Sequence, residues 1–179
     1  MQDDVFMVET DRLKLIPLSY LQLKKYLKAD SLLEDELGLN NTGRVVAEEV
    51  KDMVEFFTLP RMKQAKGNDY LFRTFWIAVE KKQLIIVAEL GFKGEPDVNS
   101  EIEIGYGTMP DQQGKGYMTE AVSGLIRWAE QREDVHGILA ETDKHNLASI
   151  RIVQKNGFEQ FDQKKEMLWW RKTTRSCKM

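Results

Sequence analysis

Cysteine is nearly absent. The one present, Cys177, cannot close an internal disulfide, and with two histidines it falls short of the four ligands of a structural zinc site. It lies in the terminal stretch TTRSCKM, and since a nucleophilic thiol needs a structured, activating pocket, no catalytic role is expected of it. Residues 172–179 are expected to form a flexible tail. Long apolar runs are missing too. The longest span five residues, at 75–79 and 84–88, where a membrane span needs about 18. There is no basic excess. Lys plus Arg is 26 against 29 Asp plus Glu, a net charge of −3, and nucleic-acid binders usually carry a positive surplus. The opening MQDDVFMVETDR has acids where a signal peptide wants bases, so a cytoplasmic protein is expected. The four prolines, at 17, 60, 96 and 110, are scattered as edges of elements. No repeat or Pro/Gly/Ser linker divides residues 1–179, which are expected to form one domain.

What remains is material for a core. The 179 residues are 42% hydrophobic and 31% charged, and a chain of this length buries about 70% of its unfolded surface. Thr10 to Pro17 alternates into a strand closed by proline. Ser19 caps a helix, with Gln22 completing a capping box, and a shorter helix spans Leu32 to Leu37. Val46, Val50, Met53, Val54 and Phe57 predict one amphipathic helix. Leu71 to Val79 and Leu84 to Phe92 read as a hairpin. Glu101 to Thr108 alternates, with Ile102, Ile104 and Tyr106 on one face and Glu101, Glu103 and Gly105 on the other. A helix from Met118 to Ala129, a strand at Ile138 to Thr142, a helix opened by Asn146 and two closing strands follow. Helices after the middle strands require parallel crossovers within an otherwise antiparallel sheet. The class is mixed α+β.

The sharpest local feature is Gln113-Gly114-Lys115-Gly116-Tyr117-Met118-Thr119, between a strand and a long helix. Two glycines let the backbone turn tightly and approach a ligand. The helix start offers unpaired N–H groups and the positive end of a dipole, which suits a diphosphate. The same glycines also fit a plain strand-to-helix turn. The loop is neither a P-loop nor a dinucleotide fingerprint, because Thr119 stands where the third glycine belongs.

Gln113 to Met118 resembles the Gln/Arg-x-x-Gly-x-Gly/Ala loop of the GNAT superfamily of N-acetyltransferases, with Met118 in place of the final Gly or Ala. Thr10-Asp11-Arg12-Leu13-Lys14-Leu15, Glu103-Ile104-Gly105-Tyr106, and Asn146-Leu147-Ala148-Ser149-Ile150-Arg151 followed by Asn156-Gly157-Phe158-Glu159 resemble the Rim-type branch, the ribosomal-protein alanine N-acetyltransferases and their relatives. The likeness runs over nearly the whole chain. It implies a GNAT fold, a mostly antiparallel mixed sheet with helices on both faces and splayed fourth and fifth strands. It implies transfer of acetyl from acetyl-CoA, as co-substrate, to a primary amine by direct attack, with no metal. The diphosphate would lie on Gln113, Gly114, Lys115, Gly116, Tyr117, Met118 and Thr119. The pantetheine would follow the strand near Tyr106 to Met109, and Asn146 would add a contact besides capping its helix. Gly107 departs from the branch, which often has tryptophan there.

An amine nucleophile must lose a proton, and the CoA thiolate must be stabilised as it leaves. Glu103 is the first candidate base, with Glu89 and Glu141 on neighbouring strands in reserve. Alternating Glu101 and Glu103 equally fit a solvated strand face. Many GNAT enzymes carry a tyrosine acid where this chain has Val153, so the resemblance shifts that role to Ser149, which could also be an ordinary first-turn serine. Trp76, Trp128, Trp169 and Trp170 fit the core, or failing that the walls of a substrate cleft, and His136 and His145 read as turn or surface residues. The acceptor is open among a ribosomal or other protein N-terminus and small amines. The chain is expected to be a monomer or homodimer binding neither nucleic acid nor membrane. The competing reading is a non-catalytic acyl-CoA-sensing module, which keeps the loop and needs no base.

Overall fold

The computed structural model describes residues 6–28 and 30–174; Cys177 lies outside them. Strand β1 (Val8–Glu9) and β2 (Leu13–Pro17) lead into helices α1 (Tyr20–Tyr26), α2 (Leu32–Leu37) and α3 (Glu48–Met53). A π-helical turn (Val54–Thr58) joins α3 to α4 (Leu59–Met62), and a 3-10 turn (Gly67–Phe72) precedes β3 (Phe75–Glu80). Then come β4 (Ile85–Phe92), β5 (Glu101–Thr108), α5 (Tyr117–Glu130), β6 (Gly137–Asp143), α6 (Leu147–Lys155), β7 (Glu159–Lys164) and β8 (Met167–Thr173).

All described strands join one sheet in the order β1-β2-β3-β4-β5-β6-β8-β7. Every pair is antiparallel except β5–β6. The α+β class and mixed sheet are as expected. The parallel pair requires the α5 crossover, since no tight turn can bring a strand back in the same direction. Burial splits by face. α5 covers one core, containing Ile102, Ile104, Ala121, Leu125, Ile138, Val153 and Trp170. The first four helices cover the other, containing Leu23, Tyr26, Leu33, Val54, Met62, Ile77 and Val79.

Local signals explain most element starts. Ser19 Oγ accepts the Gln22 N–H (3.3 Å) and Gln22 Oε1 accepts the Ser19 N–H (2.9 Å), the expected capping box. The stripe from Val46 to Phe57 does not form one regular helix. Pro60 has no N–H, and its ring crowds the carbonyl four residues earlier. The backbone widens ahead of it, with the Leu59 N–H bonded to the Val54 carbonyl five residues back. That change of pitch leaves Phe56 and Phe57 exposed while Val54 is buried. Pro60 therefore sits inside a continuous helical run rather than at its edge. Leu71 and Phe72 are also not in a strand. They are buried in the 3-10 turn, where the Leu71 carbonyl accepts the Trp76 Nε1–H at 2.9 Å. Their apolarity serves the core, not a ladder. Lys172 and Thr173 are not tail residues; they pair with Ile138 and Gly137 as the end of β8.

Candidate functional site

The β5–β6 ladder stops early. Ile104↔Ala140 is its last rung, although β5 continues to Thr108 and β6 to Asp143. The two strands therefore part beyond that point, which is the expected splay. The opened edge of β5 carries free backbone groups. Glu103 and Met109 turn theirs toward β4: the Lys93 N–H reaches the Glu103 carbonyl (2.9 Å), and the Met109 N–H reaches the Val87 carbonyl (3.0 Å). Strand alternation then aims the backbone of Tyr106 and Thr108 into the gap.

The glycine loop follows at the end of β5. Gly114 and Gly116 have φ of 75° and 77°, the left-handed region that other residues enter at a strain. Gly116 is the N-cap of α5 and no side chain caps the helix, so its first-turn N–H groups face outward for an anion. Tyr117 and Met118 bury their side chains and present only backbone to the loop. The loop is held from outside by Arg12, whose Nη1 donates to the Lys115 carbonyl (3.0 Å) and whose Nε donates to Glu120 (2.6 Å). Thr10 Oγ1 and the Arg12 N–H also bond Glu120, and these contacts hold its carboxyl below the usual range against the opposing effect of burial. The Lys115 amine bonds Gln112 Oε1 at 2.8 Å. A cavity of about 470 Å³ adjoins Gly116, with Arg12, Arg127 and Lys155 among its walls.

One face of the gap carries hydroxyls. Asn146 Oδ1 caps α6 by accepting the Ser149 N–H at 3.0 Å, which fixes Ser149 in the first turn. Ser149 Oγ and Tyr106 Oη lie 2.9 Å apart. Burial pushes the Tyr106 hydroxyl upward, partly opposed by the serine. Tyr106 is a hydroxyl that sequence reasoning misses, since the family's tyrosine position is Val153 and the role passes there to Ser149. Val153 is fully buried, and the tyrosine reaches the serine from β5 instead. Its position in the Ile102, Ile104, Tyr106 stripe was the available signal.

The opposite face carries carboxyls. Residues directly opposed in neighbouring strands share a face, so the rungs Glu89↔Gly107, Gly91↔Gly105 and Glu103↔Leu139 put Glu89, Glu103 and Glu141 on the α1–α4 side. Glu103 is bonded to the Lys93 amine, which also lies 3.8 Å from Glu141 Oε2. Among the described residues, no cation pairs with Glu89. Burial pushes its carboxyl up from 4.5 to about 7. Gly107 lies opposite Glu89, and a Cβ there would stand 3.6 Å from Glu89 Oε1, at ordinary contact distance. Glu101 is separately engaged by Arg171 at 2.8 Å.

Elsewhere, His145 bonds Glu166 in an exposed turn (3.0 Å). Trp76 is buried and the partly buried Trp128 packs against it at a tilt, 5.4 Å between centroids and 57° between planes, and Trp170 is buried with its Nε1–H on Thr142 Oγ1. Trp169 is partly exposed and lies under Lys164. Among the described residues, no cluster of three or more His, Cys, Asp or Glu could hold a metal. None of the described helices is long and apolar enough to cross a membrane.

A splayed parallel pair, a glycine loop opening a helix and hydroxyls facing carboxyls across a gap define an acyltransferase scaffold. Residues 12–159 match the acetyltransferase (GNAT) domain family. The chain belongs to the GNAT acetyltransferases, enzymes that transfer an acetyl group to an amine. YjdG of Bacillus subtilis (strain 168), described as an uncharacterized N-acetyltransferase, is 35% identical over 154 residues, 85% of this chain and 89% of that one. The [ribosomal protein uS5]-alanine N-acetyltransferase of Escherichia coli (strain K12) is 34% identical over 65 residues, 36% of this chain and 34% of that one. The fold also superposes on RimL, a ribosomal L7/L12 alpha-N-protein acetyltransferase solved with coenzyme A. There the TM-score is 0.67 at 15% identity, covering 94% of this chain and 98% of that one.

Proposed function

We propose that the chain acetylates the terminal amine of a protein or another primary amine, with acetyl-CoA entering from the α5–α6 face and the amine from the α1–α4 face. The observation that carries this is the opposition of two chemistries across one gap: Tyr106 and Ser149 on one side, Glu89, Glu103 and Glu141 on the other. The left-handed glycines and uncapped helix start fit a diphosphate. In this reading the backbone of Gln113, Gly114, Lys115, Gly116, Tyr117, Met118 and Thr119 holds it. Arg12, Arg127 and Lys155 around the neighbouring cavity suit the nucleotide's further phosphate. The pantetheine follows the unpaired edge from Tyr106 to Met109, and an N–H there polarises the thioester carbonyl. Asn146 keeps Ser149 in place.

The Tyr106–Ser149 pair then supplies a proton or hydrogen bonds to the departing sulfur. On the acceptor face the carboxyls divide the work. Glu103 and Glu141 attract the incoming ammonium, displacing Lys93. Glu89, with a pKa where a base operates, receives the proton. Four residues separate the Glu103 and Gly107 positions, about 13 Å along the strand. The amine therefore lies between the two groups, with a water carrying the proton to Glu89. This assigns the base to Glu89 and gives Glu103, the first candidate from sequence, the ammonium-binding role. A peptide acceptor is favoured by the relatives that acetylate ribosomal proteins. The test is thiol release from acetyl-CoA with a panel of peptides and small amines, with the acetylated nitrogen identified by mass spectrometry. Thiol release with no acetylated amine would refute the reading.

A further inference from the structure

Lys93 follows the last residue of β4 and is fixed on both sides of its backbone. Its N–H donates to the Glu103 carbonyl (2.9 Å) and its carbonyl accepts from Arg61 Nη1 (2.8 Å). Its side chain crosses over Gly105, where a Cβ would lie 4.0 Å from Lys93 Cε. Gly105 is the first residue beyond the last β5–β6 rung. The amine therefore rests at the closed end of the gap, bonded to Glu103 of one splayed strand and 3.8 Å from Glu141 of the other. The side chain is still 55% exposed, so its carbons are not locked into the core. Glu101, the other acid on this face of β5, is occupied by Arg171 and does not compete for it. A tethered primary amine thus occupies the carboxylate cradle assigned above to the acceptor.

We propose that Lys93 is itself an acceptor, acetylated in cis by the chain's own active site. The inference rests on the acetyltransferase reading of the gap. The ammonium, held by Glu103, gives one proton through water to Glu89, the base of the same gap. The freed amine attacks the thioester carbonyl carbon, forming a C–N bond. The C–S bond then breaks, the nitrogen loses its second proton, and the thiolate takes up one proton to leave as CoA thiol. The sum is ammonium plus thioester giving amide, thiol and one released proton, with no other reactant. Acetylation removes the Lys93 charge, ends both carboxylate contacts and leaves Glu103 and Glu141 open to an external ammonium.

The test incubates the full chain with isotopically labelled acetyl-CoA and no added amine, then reads intact mass and peptide maps. The expected result is one acetyl group on Lys93, added at a rate per molecule that does not change when the protein is diluted. Lys93→Arg, which can still bridge both carboxylates, should take up no acetyl at this position. Three results would overturn the proposal: Lys93 unmodified in protein that acetylates an added amine, a rate per molecule that rises in proportion to protein concentration, or equal labelling in Gly116→Val, which marks uncatalysed chemistry. If acetyl-CoA binds but neither Lys93 nor any added amine is acetylated, the reading of the gap as an acetyl-transfer site fails with it.

Discussion

Replacing Glu89 with glutamine keeps size and shape and removes the titrating proton. In the folded protein this carboxyl is pushed from 4.5 to about 7 by burial, whereas in the unfolded chain it is solvated. Between those two pH values the folded state binds the extra proton, so stability falls as pH rises through the window. The contribution is fully present below pH 4.5 and gone above about 7. At about 1.36 kcal/mol per tenfold change in proton affinity, the loss is about 3 kcal/mol, trimmed to about 2–3 by partial solvent access. Glu89→Gln should therefore lose this slope and be more stable than the parent at pH 8, with the two nearly matched at pH 4.5. Urea unfolding at several pH values measures it. The same variant should lose kcat by about 10²–10⁴-fold. The rising limb of the parent's kcat/KM profile near pH 7 should disappear with it. Parallel stability curves for parent and variant would show that Glu89 is not desolvated, and the assignment of the base would fall.

Glu103→Gln should act differently, raising KM for a cationic acceptor more than it lowers kcat, because its role is to attract the ammonium. Steady-state kinetics with both variants separate the roles, and the opposite pattern would return the base to Glu103. Gly116→Val places a branched side chain at φ 77° beside the Arg12 guanidinium, 3.5 Å from the first added carbon. It should weaken CoA binding by calorimetry at least tenfold, about 1.4 kcal/mol, while CoA continues to raise the melting temperature of the parent. Tyr106→Phe and Ser149→Ala should each lower kcat with little change in CoA affinity. Their combined effect should be less than the product of the two, as expected of groups acting as a unit. Gly91→Ala would press a Cβ to 2.8 Å from the Thr74 backbone carbonyl, and thermal unfolding should show a loss of about 1–3 kcal/mol.

Local chemistry was the legible part of the sequence. The Ser19–Gln22 box, the alternation through β5, the glycine pair and the Asn146 cap each involve neighbours in the chain, so their geometry follows from short spacings. Winding around Pro60 was less legible, because proline can end a helix or widen it, and the choice depends on what the following turn packs against. Leu71 and Phe72 carry the composition of a strand and are buried in a turn, since burial alone does not fix backbone geometry. The site was half legible. Ser149 and Glu103 were visible as candidates. The hydroxyl of Tyr106 gains its role only when β5 and α6 meet, and the raised pKa of Glu89 comes from burial, which depends on how β4 packs against distant parts of the chain. Lys93 follows a strand end and has no periodicity to mark it, yet pairing across β5 and β6 places its charge between two acids.

A crystal structure with bound acetyl-CoA tests the central claim most directly. The account predicts the diphosphate on the N–H groups of Gly114 to Thr119 and the thioester carbonyl within about 2.7–3.1 Å of a backbone N–H between Tyr106 and Met109. It also predicts the sulfur on the side of Tyr106 and Ser149, with Glu89 across the gap. A diphosphate on the loop with the thioester outside the gap, or with its sulfur on the carboxylate face, would contradict the division of the two faces on which the mechanism rests.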